Sequence, residues 1–156
     1  MKFLGIIPAR YGSSRLEGKP LKDICGHTMI EWVYKRAKLS DLDEVIVATD
    51  DERIFSEVEK FGGKAIMTRE DHPNGTSRIA EVCEKVTDYD VVINIQGDEP
   101  LIKKEMINSL IDAFKKEPEL KMGTLKHKLD TMEEVQNPNS VKVITDKNDY
   151  AIYFSR

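Results

Sequence analysis

The sequence contains few cysteines and histidines, which limits the kinds of site it can form. Its only two cysteines, Cys25 and Cys83, are far apart and have no CxxC spacing, and its three histidines are equally scattered. A zinc site needs closely patterned ligands, and a disulfide framework needs more cysteines than two, so we expect neither. Reduced thiols are typical of cytoplasmic proteins, and a cytoplasmic location is our prediction.

Long hydrophobic runs and excess positive charge are also missing. No apolar run approaches the roughly 20 residues that span a bilayer, and the first residues show no signal-peptide pattern. The formal net charge is -4, whereas nucleic-acid binding favours a basic face. We therefore expect neither a nucleic-acid partner nor a membrane partner.

Short apolar runs alternate with amphipathic patterns over the first 120 residues or so. The apolar runs predict strands buried on both faces, and the segments of helical spacing predict the helices between them. The predicted strands are 2–8, 44–49, 64–67 and 90–96, and the predicted helices are 27–39, 50–63, 76–86 and 103–116. This alternation predicts a Rossmann-like, three-layer α/β domain, in which a mostly parallel sheet carries helices on both faces.

The pattern changes after about residue 120. Residues 122–129 favour a strand, and residues 131–139 favour a short capped helix followed by a turn. Residues 140–156 favour a C-terminal hairpin that turns at Lys147 and Asn148. Because no linker or repeat interrupts the chain, we predict a single domain over residues 1–156.

A glycine-containing basic loop follows the first predicted strand. Arginine side chains grip phosphate oxygens with paired donors, and a lysine offers a point charge, so Arg10, Arg15 and Lys19 suit a triphosphate. The loop matches neither GxxxxGK[ST] nor GxGxxG. Two interpretations stay open: a phosphate-binding loop, or a solvated loop whose charges pair with Glu17 and Asp23.

An acidic segment, residues 96–100, follows the fourth predicted strand. Asp98 there suits a hard cation that bridges phosphates, although Asp98 and Glu99 could simply form a turn before the next helix. Carboxyl ends of parallel strands meet at one edge of the sheet, so we expect the basic loop and this segment to face each other. Together they indicate Mg-nucleotide chemistry. Asp50, after the second strand, is predicted to be a helix N-cap.

Motifs along the whole chain carry a resemblance to a known family. They are IIPARYGSSRLEGKPL, VIVATDDE, MTREDHPNGTSRIAEV, VVINIQGDEP, NPNSVKVI and YAIYFSR. In this order they resemble the 3-deoxy-D-manno-octulosonate (KDO) cytidylyltransferases, the CMP-KDO synthetases. The resemblance implies a glycosyltransferase-A-like nucleotidyltransferase fold and transfer of CMP from CTP to KDO, with release of pyrophosphate, for lipopolysaccharide biosynthesis. It also implies Mg2+ as the cofactor and a homodimer.

The resemblance also implies roles for individual residues. Arg10 and Lys19 match the family's phosphate-binding pair, Ser14 and Arg15 lie nearby, and Asp98 matches a magnesium ligand. Arg10, Lys19 and Asp98 are therefore the expected catalytic residues. The residues that match the family's contacts to the nucleotide and its bordering backbone are Pro8, Ala9, Gly75, Thr76, Arg78 and Gln96.

Two departures from the family pattern qualify these implications. Glu17 stands where the family usually has proline, in RLEGKP instead of RLPGKP. Arg156 matches an arginine beside the sugar acid and is the last residue, whereas family members are considerably longer. We therefore expect a nucleotide-binding part truncated before most of the sugar pocket, a second metal ligand and the dimer contacts.

Alternatives to the KDO enzyme follow from these departures. The chain could be an inactive CTP-binding domain, or one chain of a split enzyme that self-associates or needs a complementing chain. It could also belong to a cytidylyltransferase for another sugar acid, such as sialic acid.

Overall fold

The structure is a computed structural model that describes residues 1–12 and 16–156. These residues form two compact units, Met1–Lys121 and Met122–Arg156. The strands are β1 Phe3–Ala9, β2 Asp23–Ile24, β3 His27–Thr28, β4 Glu44–Thr49, β5 Ala65–Met67, β6 Val91–Asn94, β7 Lys142–Thr145 and β8 Ala151–Ser155. The α-helices are α1 Met29–Ala37, α2 Glu52–Lys60, α3 Gly75–Lys85, α4 Lys104–Lys116 and α5 Met132–Gln136, and a 3-10 turn spans Lys19–Leu21. Within the described ranges, no helix is long and apolar enough to cross a membrane. The single domain over residues 1–156 stays a prediction.

The first unit is built on a four-stranded sheet in the order β5-β4-β1-β6. All three neighbouring pairs are parallel, as the alternating pattern predicts. From β1 the chain runs outward through β4 to β5 and then returns to place β6 on the other side of β1. The strand order therefore reverses between β1 and β6, which is where open α/β sheets bind ligands.

Both faces of this sheet are covered by helices, as predicted. On one face, Phe3 and Ile7 of β1 pack in a cluster with buried residues of α1, α2 and α4. On the other face, Leu4 packs with Ile79 and Val82 of α3. Successive side chains of a strand point to opposite faces, so the unbroken apolar run of β1 serves both clusters. Complete burial of each large apolar side chain contributes about 1.5–3 kcal/mol.

Side-chain caps fix where the helices of the first unit begin. The Thr28 hydroxyl accepts from the Glu31 N–H at the start of α1. At α2 the prediction of Asp50 as N-cap is wrong, because the Asp51 carboxylate accepts from the Arg53 N–H at 2.9 Å. Asp51 has extended φ and ψ and is the last residue before the helical turn. Its carboxylate therefore reaches the free N–H groups, whereas Asp50 lies one residue too early.

The second unit contains the predicted short helix and hairpin. A capping box joins Thr131 and Glu134 at the start of α5, and β7 and β8 form an antiparallel pair. The predicted strand at residues 122–129 is wrong, since the structure describes all of these residues and assigns no strand to them. A strand needs a ladder partner, and β7 pairs with β8 instead.

Candidate active site

A hydrogen bond closes the basic loop after β1. The Gly18 N–H donates to the Tyr11 carbonyl at 2.9 Å. Gly18 has a φ of 64°, and a Cβ at this position would lie 3.0 Å from the Tyr11 ring. The Arg53 guanidinium lies 3.3 Å from the centroid of the same ring. The base of the loop is therefore held by tight local packing, and Lys19 starts a 3-10 turn immediately after it. Predicted residues Ser14 and Arg15 lie outside the described residues.

The acidic segment leaves β6 beside the end of β1. Ile95 continues the pairing, because its N–H donates to the Ile6 carbonyl at 2.9 Å. A Cβ at Gly97 would lie only 3.0 Å from the Pro8 carbonyl oxygen, so any larger residue here would crowd the end of β1. The Glu99 N–H then donates to the Gln96 carbonyl at 3.3 Å. The resulting turn places Asp98 at the edge of the sheet that also carries the basic loop.

Lys19 and Asp98 meet across this edge. The Lys19 ammonium donates to Asp98 Oδ2 at 2.6 Å, and the two side chains are 35% and 51% exposed. The expectation that the basic loop faces the acidic segment is therefore confirmed. The pair lies where the strand order reverses and is accessible to a ligand, since both side chains are partly exposed.

Asp98 meets the chemical requirements of a magnesium ligand. Its carboxylate already binds a cationic group through Oδ2 and is half exposed. Among the described residues, no group of three or more His, Cys, Asp or Glu side chains is placed to hold a metal. Mg2+ in nucleotide sites typically uses one or two carboxylates together with substrate phosphates. A single carboxylate beside a basic loop fits that pattern.

The segment around Gly75 reaches the same edge of the sheet through Pro8. A Cβ at Gly75 would lie 3.2 Å from Pro8 Cγ, so the start of α3 packs directly on the end of β1. Asn74 caps this helix, because its side-chain oxygen accepts from the Ser77 N–H at 2.9 Å. Thr76 in the first turn is exposed. The structure therefore brings the basic loop, the acidic segment and the start of α3 together around Pro8.

Residues 4–156 match the profile of the family described as Cytidylyltransferase. This chain belongs to the cytidylyltransferase family. The match covers nearly the whole chain, including the basic loop, the acidic segment and the start of α3.

Curated relatives narrow this assignment. The chain is 76% identical to the 3-deoxy-manno-octulosonate cytidylyltransferase of Fusobacterium nucleatum subsp. nucleatum, over 100% of this chain and 64% of the relative. It is 54% identical to the protein of the same name from Thermodesulfovibrio yellowstonii, over 97% of this chain and 62% of the relative. The resemblance to KDO cytidylyltransferases is thus confirmed, and the chain spans somewhat under two thirds of the length of these relatives.

Solved structures agree with the predicted nucleotidyltransferase fold. A CMP:2-keto-3-deoxy-manno-octonic acid synthetase complexed with CTP superposes with a TM-score of 0.96 at 48% identity, covering 99% of this chain and 64% of that chain. A cytidylyltransferase from Leptospira borgpetersenii gives a TM-score of 0.66 at 26% identity, covering 76% and 51% of the two chains.

Arg78 has a buried side chain. It is only 3% exposed and forms an ion pair with Asp50, which is 14% exposed. The guanidinium also donates to the Thr68 hydroxyl at 2.5 Å and the Arg69 carbonyl at 3.3 Å. Its donors therefore join α3 to the segments that follow β4 and β5, and this contact holds the start of α3 in place.

The other predicted residues differ in what surrounds them. Ala9 is 4% exposed and packs in the core, so only its backbone can border a ligand. Arg10 and Gln96 are exposed, and the Gln96 amide donates to the Asn94 side-chain oxygen at 3.2 Å. Arg156 is exposed and belongs to the second unit.

Sequence reasoning missed a cluster centred on Glu81. The Glu81 carboxylate accepts from Lys85 at 2.7 Å and from the Arg69 N–H at 3.1 Å, and it bonds His72 at 2.5 Å. The hydrogen bond from Lys85, followed by those from His72 and Arg69, lowers the pKa of Glu81 to about 2. The cluster fastens the segment before α3 to the helix itself. The spacing of Glu81 and Lys85 suggests a helical pair, but no pattern indicates the bond to His72.

Proposed function

We propose that this chain binds CTP for the transfer of CMP to the anomeric hydroxyl of KDO, giving CMP-KDO and pyrophosphate. The observation that carries the proposal is the contact of Lys19 with Asp98 at the reversal of strand order. It joins a group suited to phosphate and a group suited to Mg2+ at one ligand-binding edge. The family match and the names of the KDO cytidylyltransferase relatives support the same reaction.

Charge stabilisation and positioning account for most of the catalysis in phosphoryl-transfer reactions. Lys19 and Arg10 hold the β- and γ-phosphates, which leave as pyrophosphate, and Ser14 and Arg15 complete the phosphate contacts. Asp98 is the residue that would hold the magnesium ion. That ion would supply positive charge to neutralise the α-phosphate and to help lower the pKa of the sugar hydroxyl.

Backbone groups around Pro8 form the other part of the proposed nucleotide pocket. Pro8 and Ala9 border the nucleotide, while Gly75 and Thr76 approach the base and ribose from α3, and Gln96 belongs to the same pocket. Close packing of Gly75 on Pro8 supports this arrangement. Arg78, whose donors are engaged by Asp50 and Thr68, contributes by fixing the start of α3.

The acceptor is a sugar acid, and we propose KDO. Arg156 matches the arginine beside that acid, and a guanidinium suits its carboxylate. A homodimer and a cytoplasmic location, where CTP is available, complete the proposal.

The test is a coupled assay of pyrophosphate release with CTP, Mg2+ and KDO, with sialic acid in a parallel reaction. The assay uses the purified protein. Release that depends on KDO and on Mg2+ is expected. Release with sialic acid alone would reassign the acceptor, and failure to bind CTP in a separate titration would overturn the proposal.

A further inference from the structure

Lys19 and Asp98 contact each other, although each binds a different ligand in the proposed function. Lys19 is assigned to phosphate, and Asp98 is assigned to a divalent cation. Yet the Lys19 ammonium lies 2.6 Å from Asp98 Oδ2, which is hydrogen-bonding distance. A divalent cation on the same oxygen would meet a positive charge at close range, and this repulsion is unfavourable.

We propose that Lys19 is an internal counter-ion, which weakens the binding of a divalent cation to Asp98 until a nucleoside triphosphate draws Lys19 away. This inference rests on the proposed function and adds a coupling between its two ligands. In the exchange, the ammonium moves from a carboxylate to a phosphate, and the carboxylate accepts the cation that accompanies the triphosphate. Each charged group keeps a partner of opposite charge throughout.

Exposure makes the pair easy to exchange. The side chains are 35% and 51% exposed, and ion pairs in such surroundings contribute little to stability because water competes for both groups. The pair therefore opposes a lone cation only moderately. A triphosphate offers Lys19 several charged oxygens at once, which is enough to replace one carboxylate.

The backbone around the pair allows this exchange without rearrangement. Lys19 begins a 3-10 turn whose start is fixed by the bond between Gly18 and Tyr11. Asp98 lies in the turn closed by Glu99 and Gln96 on the other side of the strand reversal. A lysine side chain has a flexible four-carbon stem, so rotation of this stem is sufficient to separate the charges.

The coupling predicted here is positive and reciprocal. If triphosphate binding removes the ammonium from Asp98, it tightens cation binding, and the cation must tighten triphosphate binding by the same factor. A purely structural salt bridge predicts otherwise, because removal of Lys19 would then leave cation binding at Asp98 unchanged or weaker.

The experiment measures Mn2+ binding, as a spectroscopic substitute for Mg2+, by electron paramagnetic resonance without nucleotide. Lys19→Met should bind Mn2+ about three- to tenfold more tightly than the wild type, since it removes both the competitor and its repulsion. Lys22→Met is the matched control, because it removes the same charge three residues along the chain. It should stay within about twofold of the wild type. The double variant with Lys19→Met and Asp98→Asn should not show the tighter Mn2+ binding of Lys19→Met.

A second titration at saturating CTP measures the coupling. CTP should tighten Mn2+ binding in the wild type by a larger factor than in Lys19→Met. Equal Mn2+ affinity of the wild type and Lys19→Met without nucleotide would overturn the inference, as would a gain that survives Asp98→Asn. Failure of the wild type to bind CTP would instead overturn the proposed function, and circular dichroism checks that each variant is folded.

Discussion

Replacement of Arg78 by methionine should destabilise the first unit strongly. Arg78→Met keeps a long side chain but removes the partners of the Asp50 carboxylate, the Thr68 hydroxyl and the Arg69 carbonyl. Arg78 is 3% exposed and Asp50 is 14% exposed, so water reaches the abandoned carboxylate poorly. Removal of one partner of a buried pair leaves an uncompensated charge, which is the costly part of such a change.

The expected cost is about 3–5 kcal/mol of unfolding free energy. That is a large share of the roughly 5–15 kcal/mol that stabilises a typical domain. Asp50→Asn should cost less, about 1–3 kcal/mol, because the amide oxygen still accepts a hydrogen bond. The double variant should be less destabilised than the sum of the two single changes, since the side chains interact directly.

Urea unfolding followed by circular dichroism measures these differences. With a slope near 2 kcal/mol per molar urea, Arg78→Met should lower the midpoint by about 1.5–2.5 M. Lys60→Met is the control, because Lys60 pairs with Glu57 at 3.6 Å but is 79% exposed, and it should cost about 0–1 kcal/mol. The result that would refute this prediction is a urea midpoint of Arg78→Met equal to that of Lys60→Met, together with loss of CTP binding. Arg78 would then contact the ligand and contribute little to stability.

Further predictions concern close packing, pH and the core. Gly97→Ala places a Cβ 3.0 Å from the Pro8 carbonyl oxygen and should weaken CTP binding in calorimetry; unchanged affinity would mean that the turn shifts freely. The pKa of Glu81 falls from 4.5 to about 2 on folding, so its stabilisation is complete above about pH 4.5 and is lost towards pH 2. As the pH is lowered through this range, the urea midpoint should fall more steeply in the wild type than in Glu81→Gln. An equal dependence on pH in the two proteins would contradict this prediction. Leu4→Ala should lower the free energy of unfolding by about 2–5 kcal/mol, because Leu4 is fully buried. A smaller loss in urea unfolding would mean that neighbouring side chains fill the cavity.

Periodicity predicted the first unit well because its strands are buried on both faces. Continuous apolar runs marked the four strands of the parallel sheet, and helical spacing marked the helices between them. The meeting of Lys19 and Asp98 followed from a topological rule, because carboxyl ends of parallel strands share one edge. No knowledge of side-chain conformation was needed to expect these two residues on the same side.

Features set by tertiary contacts were beyond the sequence patterns. Two consecutive aspartates are equal N-cap candidates until the backbone angles are known, and Asp51 takes that position while Asp50 pairs with Arg78. The family resemblance implies a nucleotide contact for Arg78, and this stays a prediction. No sequence pattern shows that this helix residue bonds a carboxylate 28 positions away. The segment 122–129 has an apolar content typical of a strand, but it has no ladder partner in the structure.

The most direct test of the role of Lys19 is calorimetric titration of CTP in the presence of Mg2+, with cytidine as the comparison ligand. Lys19→Ala should lose about 1.5–3 kcal/mol of CTP binding, since a charge-assisted contact to phosphate disappears. This corresponds to roughly a 10- to 150-fold weaker Kd. Cytidine has no phosphate, so its affinity should be unchanged. Equal losses for CTP and cytidine, or no loss for either, would contradict the assignment of Lys19 to the triphosphate.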